Sequence, residues 1–111
     1  MVALEPIYFE FDKSNLRPDA IRTLNKKDEA LNKKPDMNVG VEGNCDERGT
    51  NEYNMALGER RAVSAMKYLV TRGIAADRMT TVSFGEERPL DPGHNEAAWA
   101  KNRHDDFKVI E

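Results

Sequence analysis

Apolar residues recur at two different periods along this chain, and each change of period marks a new element. Ile7-Tyr8-Phe9-Glu10-Phe11 is dense in β-formers and reads as a first strand. Asp12-Lys13-Ser14-Asn15 follows as a turn whose side chains bond local backbone. Pro18 suits the first turn of a helix, where its missing N–H costs nothing. That helix runs to about Lys33, with Ile21, Leu24 and Leu31 on one stripe and Pro35 beyond its end. Asp28 falls on the same stripe and is expected at its margin, facing water, because unpaired carboxylates are seldom buried.

The alternation returns at Val39 to Gly43, a second strand, and gives way from Asn51 to Arg72 to a second helix. Ala62, Ala65, Met66 and Leu69 face its core side, Asn54, Leu57 and Arg61 share a flanking face, and Gly73 stops it. A third strand is expected over Met79 to Phe84 and a long loop over Gly85 to Asn95. A short helix follows around Trp99, from Glu96 to Lys101, and a last strand near Asp106 to Ile110. The order β-α-β-α-β-(short α)-β predicts an α/β (α+β) sandwich with helices packed on one face of a mixed sheet. Residues 1–111 read as one domain without internal repeats, with 1–6 as a linker ahead of it.

Composition narrows the function classes. Charged residues make up 33% of the chain yet balance to −3, so no nucleic-acid or anionic-membrane surface is indicated. A mean hydropathy of −0.76 and the lack of a long apolar run argue against a membrane-spanning helix. Met1-Val2 reads as an expression start, so a targeting segment is expected upstream. His94 and His104 lack metal-ligand spacing with each other or with Cys45, and neither a metal nor a cofactor is expected. Cys45 reads as a small apolar filler rather than a nucleophile.

The chemistry concentrates between Gly43 and Ala62. A strand end there breaks into the polar turn Asn44-Cys45-Asp46-Glu47-Arg48-Gly49-Thr50, and a helix begins at Asn51. The stretch offers the Asp46 carboxylate, the Arg61 guanidinium and, between them, a helix N-terminus with free N–H groups. Such a site suits a ligand carrying an ammonium and a carboxylate close together. Each residue also has a plainer role. Asp46 caps a turn, Arg61 is a surface cation paired with Glu59, Glu52 or water, and Tyr53 and Phe11 are core aromatics. Asp105-Asp106 reads as an acidic strand edge.

Six segments, in order, carry a resemblance. They are Tyr8-Phe9-Glu10-Phe11-Asp12-Lys13-Ser14, Asp46-Glu47-Arg48-Gly49-Thr50, Glu52-Tyr53-Asn54, Ala56-Leu57-Gly58-Glu59-Arg60-Arg61-Ala62, Ser83-Phe84-Gly85-Glu86-Glu87 and Asn95 to Arg103. Together they cover nearly the whole chain, which resembles the OmpA-like peptidoglycan-binding domain family, and most closely its peptidoglycan-associated lipoprotein branch. The resemblance implies noncovalent attachment of the outer membrane to the cell wall, through the meso-diaminopimelate of an uncrosslinked stem peptide. By motif position, Asp46 would meet the ammonium and Arg61 the carboxylate. Phe11 and Asp12 would form the opposite wall, and Arg48, Tyr53, Asn54 and Leu57 would line or brace the groove.

The same resemblance implies a periplasmic location, an acylated lipid anchor upstream, and Tol-system partners such as the TolB propeller. Substitutions at Asp46 and Arg61 are expected to weaken binding while changing stability little. Other readings are a peptidoglycan-processing hydrolase, which needs a nucleophile, a metal or two tuned carboxylates, and a protein-interaction domain for a Tol partner. The sequence departs from the family pattern at Asn44, where His is frequent, at His104 and Asp105 in the last strand, and at Asp28.

Overall fold

The periodicities fold as a four-stranded sheet with two long helices on one face. A computed structural model describes residues 5–110, so the expected linker falls partly outside the described residues. The elements are β1 (Ile7–Tyr8), α1 (Pro18–Lys33), β2 (Asn38–Asn44), α2 (Asn51–Thr71), β3 (Met79–Gly85), α3 (Glu96–Asn102) and β4 (His104–Ile110). A single 3-10 turn, Ala76–Arg78, precedes β3. The sheet order is β1-β4-β2-β3. β4 runs antiparallel to both β1 and β2, while β2 and β3 are parallel and joined through α2.

Alternation decides which side of the sheet is covered. Val39, Val41 and Phe107 share one core with Leu24 and Leu31 of α1 and Ala62, Ala65 and Leu69 of α2. A close approach of backbone fixes α2 over β2. A Cβ on Gly43 would stand 1.8 Å from the Gly58 carbonyl oxygen, so only glycine at 43 allows the helix this near the strand. α2 ends before Gly73, whose φ of +107° supplies the expected stop.

Three expectations need correction. β1 stops at Tyr8, with one further bond from the Phe9 N–H to the Arg103 carbonyl at 2.9 Å, and the chain reverses through Asp12 at φ +57°. Phe9 therefore stays in the core while Phe11 turns out, 52% exposed. Asp28 is buried rather than facing water, because Arg72 from the end of α2 reaches it at 3.3 Å and Asn32 donates to it at 3.2 Å. Asp105 is not at an edge. β4 lies between β1 and β2, and Asp105 sits between Ile7 and Gly43 with no surface exposed. The strand nonetheless forms over its full length, starting at His104.

Candidate functional site

Strand direction gathers the chemistry at one edge. β1, β2 and β3 all end there and β4 begins there, so the turn after β1, the turn after β2, the start of α2 and α3 converge. The cleft they form has a volume of about 360 Å³. Phe11, Asp12, Asp46, Arg48, Tyr53, Asn54, Leu57 and Arg61 all line it, together with Cys45 and Gly49. Every site residue expected from the sequence is thus in one place.

Asp46 is 4% exposed and heavily bonded. Its Oδ1 accepts from the Arg48 backbone N–H at 3.0 Å and from Arg48 Nε at 3.3 Å. Its Oδ2 accepts from Arg48 Nη2 at 3.0 Å and from Arg103 Nη1 at 3.4 Å. Burial by itself pushes the Asp46 carboxyl up. The Arg48 side-chain and backbone hydrogen bonds, the Arg48 charge and the Arg103 bond outweigh it and hold the carboxyl below the usual range.

Arg61 is neither a surface cation nor a partner of Glu59 or Glu52. It is fully buried, and its Nε, Nη1 and Nη2 donate to the carbonyls of Lys13, Asn44 and Glu10 at 2.8, 3.1 and 3.0 Å. Those carbonyls belong to the chain leaving β1 and to the end of β2, so one guanidinium ties two walls of the cleft to α2. These three bonds run against the expectation that Arg61 can be changed with little effect on stability. Burial draws its pKa down from the ordinary value, opposed by Cys45, Asp105 and Asp46.

The mouth is aromatic. The Arg48 guanidinium lies 3.9 Å from the Phe11 ring centroid and 4.3 Å from that of Trp99, a cation between two π faces. Tyr53 is 44% exposed, and its hydroxyl donates to the Asp12 carboxylate across the groove. Phe11 and Tyr53 are therefore mouth residues rather than core. Asn54 faces inward as a brace, its amide donating to the Arg48 carbonyl at 3.0 Å and to Glu86 at 2.8 Å. The Thr50 hydroxyl accepts from the Tyr53 N–H at 3.1 Å, so one of the expected free N–H groups of α2 is already capped. Burial pushes the Cys45 thiol up to about 11, and it donates to the Asn54 carbonyl, as suits a filler.

Sequence reasoning missed Arg103 and Trp99. Arg103 joins the Phe9 carbonyl at 2.9 Å, Asp46 at 3.4 Å and Glu96 at 2.9 Å, fixing the β1 wall, the site carboxylate and α3 together. Its signal was present in the Asn95 to Arg103 segment, but no periodicity says that this arginine crosses to Asp46. Trp99 also donates to Glu47 at 2.7 Å, a contact made across 52 residues of sequence.

A cleft with one fixed carboxylate, one fixed guanidinium and an aromatic mouth can hold a zwitterionic group. Comparisons agree on the framework. A profile of the OmpA family matches residues 8–103. The peptidoglycan-associated lipoprotein of Pseudomonas aeruginosa is 47% identical over 106 residues, covering 96% of this chain and 62% of that protein. The chain thus spans less than two thirds of that relative's length. The crystal structure of the peptidoglycan-associated lipoprotein from Burkholderia pseudomallei matches with a TM-score of 0.91 at 37% identity, over 95% of this chain and 89% of that one. The C-terminal domain of Helicobacter pylori MotB matches with a TM-score of 0.89 over 98% and 86%, at 20% identity, where the likeness is one of fold. Sequence, strand order and the convergence of strand ends thus point the same way, and the chain belongs to the OmpA family.

Proposed function

We propose that this chain is a binding module that holds peptidoglycan noncovalently through the meso-diaminopimelate of uncrosslinked stem peptides. The observation that carries the reading is the pairing, within one cleft, of a carboxylate kept ionised and a guanidinium kept in place. The ligand ammonium goes to Asp46 and its carboxylate to Arg61. A guanidinium has five N–H donors and three on Arg61 hold carbonyls, which leaves two for the ligand carboxylate. Phe11, Asp12, Arg48 and Tyr53 form the mouth, while Asn54 and Leu57 brace the floor.

The relatives' name supports the wider role. A parent protein with a lipid anchor upstream would tie the outer membrane to the cell wall from the periplasmic side, with Tol-system proteins such as TolB as partners. No helix among the described residues is long and apolar enough to cross a membrane. Hydrolysis fits less well, since Asp46 is held below the usual carboxylate range and makes a poor general acid.

Sacculi differing only in the third stem residue test the assignment. Lysine keeps the ammonium and removes the carboxylate. Binding is expected to fall by roughly one to two decades, the worth of a charge-assisted hydrogen bond of about 1.5–3 kcal/mol. Equal binding to diaminopimelate and lysine walls overturns the reading.

A further inference from the structure

Asp46 has no room for a guest. A carboxylate offers about four lone-pair sites, and here Arg48 N, Nε and Nη2 and Arg103 Nη1 occupy them. An ammonium that reaches Asp46 must replace a donor already there. The Arg48 backbone N–H is fixed by the turn. Arg103 is buried and tied at its other nitrogens to Phe9 and Glu96. Only the Arg48 side chain, 31% exposed at the mouth, is able to leave.

We infer that Arg48 is a displaceable counter-ion, which the ligand ammonium replaces on Asp46 as Arg48 leaves its slot between Phe11 and Trp99. The inference rests on the proposed function and adds a moving part to it. The exchange swaps one cation for another, so Asp46 is never a buried charge without a partner, which would be the costly state. Arg48 has somewhere to go: Glu96 Oε2, on an exposed side chain, is 3.7 Å from its Nη2. The exchange also selects. A ligand bearing a carboxylate alone brings no cation to replace Arg48, and a neutral amide brings no charge. Because Arg48 stacks on the single tryptophan of the chain, departure changes the environment of Trp99.

Two measurements test this on the folded chain, with muropeptides carrying either diaminopimelate or lysine. Arg48→Gln removes the internal competitor, and it is expected to bind the lysine muropeptide about tenfold tighter than the wild type, one charge-assisted bond's worth. Wild-type Trp99 fluorescence should shift on adding the diaminopimelate muropeptide, and the shift should vanish in Arg48→Gln. If Arg48 instead grips the ligand, Arg48→Gln binds both muropeptides less tightly, and the inference is wrong. Unchanged affinity together with unchanged wild-type fluorescence overturns it as well. Should Arg48→Gln fail to fold, the nitrogen-15 signal of wild-type Arg48 Nε decides: it must move toward a solvent-exposed value on ligand addition, and a static signal refutes displacement. Failure of the wild type to bind the diaminopimelate muropeptide is a different result. It removes the proposed function, and this inference falls with it.

Discussion

Two buried aspartates at the same end of the sheet have opposite fates. Asp46 and Asp105 are 4% and 0% exposed. Asp46 receives four hydrogen bonds and is held below the usual carboxylate range. Neither Asp105 oxygen has a hydrogen-bond partner among the described residues, and burial pushes its carboxyl well up. Burial is common to both, so burial does not decide charge. The supply of donors does. Asp46 lies in a turn, where a backbone N–H is free and two arginines reach in. Asp105 lies in a strand paired on both sides, where backbone donors serve the ladders, and its side chain shares the face on which Gly43 admits α2 to close contact.

Removing Arg61 breaks the contrast most severely, since its charge acts on both carboxylates. Arg61→Ala leaves the carbonyls of Glu10, Lys13 and Asn44 without their donor. A loss of about 3–5 kcal/mol in urea unfolding is expected, as for other buried charged groups removed from their partners. Arg61→Lys keeps the charge but not the fork, and should lose about half of that. A variant as stable as the wild type shows that these bonds are replaced at no cost, and the structural role of Arg61 is then wrong.

Asp105 gives the next effect, with the opposite sign. Asp105→Val removes a buried acid that has no hydrogen bond among the described residues and puts a strand former in its place, so it should stabilise the fold by about 1–3 kcal/mol. The pH dependence separates the two aspartates. The Asp105 pKa is raised on folding, so its contribution is full below the unfolded value of about 3.9 and is lost as pH rises toward the folded value. The Asp46 pKa is lowered, so its contribution is full above the unfolded value and is lost as pH falls through the folded one. Asp105→Val should therefore flatten the fall in stability that begins above the unfolded carboxyl value and leave the loss at lower pH intact. A variant parallel to the wild type at every pH contradicts the assigned ionisation.

What the sequence made legible follows the same division. The four strands and three α-helices were readable, because alternation in β2 and the stripe on α2 are local signals, whereas the 3-10 turn at Ala76–Arg78 was not. Eight of the ten residues that line the cleft were readable through motif order, and strand direction brings them together. Contacts of side chains across the fold were not. Arg61 looked like a surface cation because its wheel position flanks the apolar stripe, and nothing local says that three carbonyls from other segments meet it there. Asp28 was placed toward water and Asp105 at a strand edge by residue type, although their depth is set by distant neighbours. β1 was read too long because Phe9-Glu10-Phe11 has strand composition, whereas the reversal at Asp12 is fixed by the cleft it helps build.

Asp28 is the third buried aspartate and should give the smallest effect, because its donors are intermediate in number and quality. It accepts from Asn32 at 3.2 Å and from Arg72 Nε and Nη2 at 3.3 Å each. Arg72 is 46% exposed, so water and salt screen its charge. Arg72→Ala should cost no more than about 1 kcal/mol, since the Asp28 carboxylate keeps Asn32 and gains access to solvent through the space left. A double-mutant cycle with Asp28→Asn should return a coupling of about 0.5 kcal/mol that shrinks in high salt. A coupling of several kcal/mol, insensitive to salt, means that Asp28 depends on Arg72 as Asp46 depends on Arg48. Depth in the fold, and not the number of donors, would then be the better guide to what a buried carboxylate contributes.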